Sequence, residues 1–178
     1  MAPPLSRRLR DLPIITLLLF LACVVVFLLA ESQGSTRDPR TLVRFGAVAR
    51  SLVLEGEWWR LFTSMFLHIG ALHLGVNLYF GYSWAVPMER LLGHWRFLLV
   101  YLVSGVAGSL ASVIGQQVLS AGASGALFGL MGATLVALRL RAGSWQALWA
   151  HPPIRQTIIM GGLWLLAGPF LNFDSFAH

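Results

Sequence analysis

Hydrophobic positions along this chain fall in long blocks rather than in short alternations. Leu12 to Ala30 is a run of nineteen residues without a charge, and at about 1.5 Å per helical residue it reaches across roughly 30 Å of hydrocarbon. Arg7, Arg8 and Arg10 precede it. A cleaved signal peptide has similar flanks but a shorter apolar region and a small-residue cleavage site; further segments of the same kind follow here, so the run reads as a retained helix. Those later segments are expected at approximately 71–92, 97–118, 121–138 and 157–172. Several are interrupted by small residues such as Gly105, Gly108 and Ser109, which let membrane helices approach closely. The pattern predicts an all-α membrane protein, a polytopic helical bundle. An open sheet is excluded, because lipid cannot satisfy its edges.

Residues 31–70 form a connection too long for a simple turn and without a charge block, which predicts a structured loop. Trp58, Trp59, Phe62 and Phe66 suit a seat at the membrane interface, though an ordinary aromatic belt would look the same. With no internal repeat, residues 12–178 read as one membrane domain behind a short N-terminal segment, 1–11.

Composition narrows this further. Hydrophobic residues make up 57% and charged residues 11%, against about 25% charged in a soluble domain, so a water-soluble globule is excluded. The net charge of +6 would by itself point to nucleic acid or an anionic surface. Sorted by helix alternation from a cytoplasmic N-terminus, it becomes a sidedness signal. Eight arginines and two acidic residues fall inside, net +6, and five of each fall outside, net zero. This follows the positive-inside rule and implies no nucleic-acid partner. Cys23 is the single cysteine, which excludes an internal disulfide, and no CxxC or HExxH spacing supports a zinc site. Neither a metal nor an organic cofactor is expected.

Polar residues inside a membrane segment cost free energy unless they meet a partner or water. His73 and Asn77 stand four apart on one helix face. With no carboxylate or thiolate beside them they make a poor metal site and a good pair of hydrogen-bond donors, or polar glue between helices. His68, before Gly70, belongs to the loop entering that helix. Gly122-Ala123-Ser124-Gly125 opens another segment; Ser124 to Leu138 is fifteen residues, about 22 Å as a helix and short of the core thickness, so Ser124 is expected below the interface. Free N–H groups at such a helix start favour negative charge and suit a serine nucleophile and its oxyanion. Packing would equally place Ser beside Gly. A base is then required, and His178 closes the chain; an imidazole of near-neutral pKa can take a serine proton.

His68, His73 and Asn77 at these intervals, then GASG at 122–125 and Ala177-His178, resemble the rhomboid family of intramembrane serine proteases over nearly the whole chain. Trp59-Arg60 and Glu89 followed by Gly93 are similar to further family features. The resemblance implies a bundle of rhomboid type, five transmembrane helices plus the start of a sixth, since the family's last helix continues beyond the histidine at which this chain stops. It implies Ser124 as nucleophile and His178 as general base, with His73, Asn77 and the Ser124 N–H as oxyanion hole. His68, Trp59, Arg60 and Glu89 are then structural, and Phe128 is the aromatic that stacks on the base. The expected activity is cleavage of single-pass transmembrane substrates near the outer face of a cell membrane, a bacterial inner membrane by expectation. Two other classes fit: an inactive rhomboid-like protein that binds membrane clients, and a small channel or transporter using His73 and Asn77 as a polar path.

Overall fold

A computed structural model describes residues 12–115, 119–150, 155, 158, 159 and 161–163. His178, the segment 1–11 and most of 157–172 lie outside the described residues. Eight α-helices are described: α1 (Ile14–Gln33), α2 (Pro39–Arg44), α3 (Arg50–Leu54), α4 (Arg60–Thr63), α5 (Gly70–Leu92), α6 (His94–Gly115), α7 (Ser124–Ala142) and α8 (Trp145–Trp149). A 3₁₀ turn, Ser64–Phe66, follows α4. The fold is all-helical among the described residues, with one isolated bridge between Val48 and Ser120.

Among the described residues three helices, α1, α6 and α7, are long and apolar enough to cross a membrane. A fourth crossing arises if Arg60–Phe66 and α5 count as one span bent by 87°. In α1, Thr16, Leu19, Cys23 and Ala30 face inward, while Leu17, Leu21 and Leu28 are exposed along with Leu99, Val103 and Ile114 of α6. Such a surface is unfavourable in water and is what lipid solvates.

The inward stripe of α5 runs through His73, Asn77, Gly81, Trp84 and Met88, near one residue per helical turn. Polar site residues and core residues therefore share one face. α7 packs most extensively on α6 and also on α5. Both contacts need small residues: a Cβ on Gly129 would collide with Ser104 of α6, and one on Gly81 would stand 2.9 Å from Phe20 of α1 and 3.1 Å from Leu127 of α7. The core between these helices is built on Met88, Phe97, Tyr101 and Leu130.

The connection between α1 and α5 is tied by buried polar bonds. Arg60, 5% exposed, donates to the carbonyls of Val43 (2.7 Å) and Ala47 (3.1 Å) and to Glu57 Oε2 (2.7 Å), and its guanidinium lies 4.5 Å from the Trp59 ring. Thr63 Oγ1 donates to Gly46 O at 2.8 Å. The far end is anchored where Glu31 accepts from Thr36 N and Oγ1, and Thr36 Oγ1 accepts from Gly70 N.

One expectation needs correcting. α7 does not stop at Leu138 but runs nineteen residues to Ala142, about 28 Å of helix. Arg139 and Arg141 form its last turn, where positive charge complements the helix dipole, and Gly143 ends it in the left-handed conformation, φ 76°. Helix length alone therefore does not sink Ser124 beneath the interface.

Candidate active site

Ser124 is the first residue of α7 and is 8% exposed. What recesses it is the segment before it, sewn to the α1–α5 connection: Val48 and Ser120 exchange both backbone bonds at 2.9 Å, and Gly122 N donates to Ser64 O at 2.9 Å. Ala123 holds the N-cap position and its side chain makes no capping bond; the first-turn amides and the positive end of the helix dipole point into this region.

Gly122 has φ 145°, a conformation that L side chains rarely adopt. A Cβ there would lie 3.0 Å from His73 Cε1, 3.2 Å from His73 Nε2 and 3.6 Å from Ser124 Oγ. The imidazole edge and the serine hydroxyl thus border the same small space, and only glycine leaves it open.

His73 is held on α5, 4% exposed. Its Nδ1 accepts from Ile69 N at 3.3 Å, which places the lone pair on Nδ1 and the proton on Nε2 in the neutral ring. Nε2, the ring nitrogen that borders the space at Gly122, is therefore the donor. Asn77, 2% exposed, donates through Nδ2 to His73 O at 2.9 Å, so the pair lies on one helix face as its spacing predicts. The Asn77 amide has a second N–H beyond that bond. His68, 1% exposed, packs edge-on against His73 at 5.3 Å between ring centroids, and buttresses the imidazole from the loop side. Phe128, one turn after Ser124, meets Trp84 of α5 edge-on at 5.7 Å.

The structure thus brings Ser124 and His73 together and ties Asn77 to His73. His178 lies outside the described residues, as does any contact it makes. Sequence reasoning missed the Ser64 carbonyl, which positions Gly122, and Thr16, whose partner is Glu89. A threonine near the start of the first apolar run was the available signal for the second.

The Rhomboid domain family model matches residues 55–178. The chain is 46% identical over 123 residues to rhomboid protease GluP of Bacillus subtilis, covering 69% of this chain and 24% of that protein. It is 44% identical over 97 residues to the mitochondrial RHOMBOID-like protein 6 of Arabidopsis thaliana, covering 53% and 32%. To rhomboid-type serine protease 2 of Emericella nidulans it is 34% identical over 125 residues, covering 68% and 24%. The chain spans about a quarter to a third of the length of these relatives.

Proposed function

The chain belongs to the rhomboid family, and from that premise we propose that it is an intramembrane serine endopeptidase that cleaves single-pass transmembrane proteins near the outer membrane face. The observation that carries the reading is the shared space at Gly122, bordered by Ser124 Oγ on one side and His73 Nε2 on the other.

In this reading Ser124 Oγ attacks the scissile carbonyl while His178 takes the hydroxyl proton. The oxygen of the tetrahedral intermediate becomes an anion. It is met by the His73 Nε2–H, whose direction is set by the Ile69-to-Nδ1 bond, by the Asn77 amide, and by the N–H of Ser124 at the start of α7. His178 then returns the proton to the leaving amine. Water, deprotonated by the same base, hydrolyses the acyl-enzyme and restores Ser124. A regular helix hides its carbonyls, so the substrate must unwind locally to reach the serine. The arginine asymmetry supports a cytoplasmic N-terminus, which puts the start of α7 in the outer half.

A fluorophosphonate probe on the purified chain tests this. Labelling that disappears in Ser124→Ala and falls in His178→Ala supports the dyad. A folded sample that never labels, yet retains transmembrane clients, overturns the enzyme in favour of a client-binding family member.

A further inference from the structure

The sequence from Arg90 to Phe173 contains no aspartate or glutamate. Within that stretch α7 ends on Arg139 and Arg141, and Arg155 follows α8. No carboxylate pairs with any of the three among the described residues. Glu89, which lies at the same end of the bundle by chain alternation, is 1% exposed. Its two oxygens accept from Ile15 N and Thr16 N, so it does not neutralise this face.

Arg155 lines a groove, and Arg139 meets its wall at Trp145. The groove holds about 540 Å³ and is lined by Trp145, Leu148, Trp149, Arg155 and Ile158 among others. Its wall is largely apolar. Trp145 and Trp149 are 62% and 49% exposed, while Leu148 is buried and anchors α8 to the bundle. Ser144 caps α8 by accepting from Ala147 N at 3.0 Å, which fixes the direction in which both indoles project. The Arg139 guanidinium sits over Trp145, 5.5 Å from its ring centroid, and its Nε is buried with no hydrogen-bond partner among the described residues. A guanidinium oriented by Trp145 and not paired to a carboxylate among the described residues, a second arginine on the rim and an apolar wall with exposed indoles meet in one place.

We propose that this groove binds an anionic phospholipid of the inner leaflet, its phosphate held by Arg139 and Arg155 and the start of one acyl chain lying along Trp149 and Ile158. Guanidinium matches phosphate geometry through paired N–H donors. Indoles settle at headgroup depth, and uncompensated positive charge beside the surface selects anionic over zwitterionic lipid. An acidic protein segment would satisfy the charge but leaves the apolar wall bare. The proposal is independent of the peptidase reading, because it uses no residue of the Ser124 site.

The full chain in dodecyl maltoside micelles, titrated with phosphatidylglycerol or with phosphatidylcholine of the same acyl chains and read by native mass spectrometry, tests it. Phosphatidylglycerol is expected to bind preferentially, with Arg139→Gln and Arg155→Gln each lowering that preference by about fivefold. Arg40→Gln and Arg44→Gln, on exposed residues of the α1–α5 connection, leave it unchanged. Should Arg139→Gln disturb folding, Arg155→Gln decides alone, since Arg155 is exposed and outside α7. Equal binding of the two lipids, or an unaltered preference in Arg155→Gln, overturns the proposal. So does displacement of the lipid by inorganic phosphate alone, which would make the site a phosphate site without a lipid occupant.

Discussion

Glu89, near the end of α5, is the N-terminal cap of α1. Thr16, seventy-three positions earlier, gives it both its backbone N–H at 2.8 Å and its hydroxyl at 2.6 Å, while Ile15 N bonds the other carboxylate oxygen at 2.8 Å. Pro13 offers no capping side chain. A negative charge at a helix start also meets the positive end of the dipole. The same oxygen that serves Ile15 lies 2.6 Å from His94 Nδ1, so a single carboxylate joins the beginnings of α1 and α6 to the end of α5.

Glu89→Gln should therefore destabilise the bundle by about 2 kcal/mol and Thr16→Val by about 1 kcal/mol. The double variant should cost less than the two together, because both changes remove the same bond. Reversible unfolding in mixed micelles measures this. A Glu89→Gln protein as stable as the parent would show that water caps α1 equally well.

Arg60 makes a different prediction from the ion pair it belongs to. Its partner Glu57 has a side chain 37% exposed, so that attraction is largely screened and Glu57→Gln should cost about 0.5 kcal/mol. The bonds to Val43 O and Ala47 O are buried and fix the loop. Arg60→Ala should cost about 2–3 kcal/mol, and Arg60→Lys should restore little, since Nη1 serves both carbonyls while Nε and Nη2 hold Glu57, a spread of donors that a single ammonium cannot reproduce. Limited proteolysis between residues 34 and 69 is the sensitive readout: faster cleavage is expected in the Arg60 variants and not in Glu57→Gln.

Local signals in the sequence were informative and distant ones were silent. The unbroken apolar run from Leu12 locates α1, and the four-residue spacing of His73 and Asn77 puts them on one face, because both follow from helix periodicity. GASG marks the start of α7. The end of α7 is not legible in the apolar pattern, since Arg139 reads as the edge of the run while a helix tolerates arginine in its last turn and welcomes it there. The short helices of the α1–α5 connection left no periodic trace in four to six residues. The pairing of Thr16 with Glu89 and of Gly122 with Ser64 depends on tertiary placement, which neither hydropathy nor spacing encodes.

If His73 and Asn77 stabilise the oxyanion, each alanine substitution should lower kcat/KM for a model transmembrane substrate by about 100-fold. Their effects should fall well short of multiplying, because Asn77 also holds the α5 turn that carries His73. Binding of an uncleaved substrate should change little, as the oxyanion does not yet exist in that complex. Matched losses in affinity and turnover would instead identify the pair as polar glue between helices.

Gly122→Ala separates the site's geometry from its chemistry, because it alters no functional group. The new Cβ would press on His73 Cε1 at 3.0 Å and sit beside Nε2 at 3.2 Å, in a backbone conformation of φ 145° that alanine resists. The strain should cost about 2 kcal/mol of stability. Displacing the donor by even part of an ångström should cost about 100-fold in turnover. Fluorophosphonate labelling of Ser124 should then fall at temperatures where the variant is still folded. Serine at position 122 should behave like alanine, since the added hydroxyl does not relieve the backbone. If labelling tracks the folded fraction alone, the space at Gly122 is a packing feature and the oxyanion site must be sought elsewhere around the start of α7.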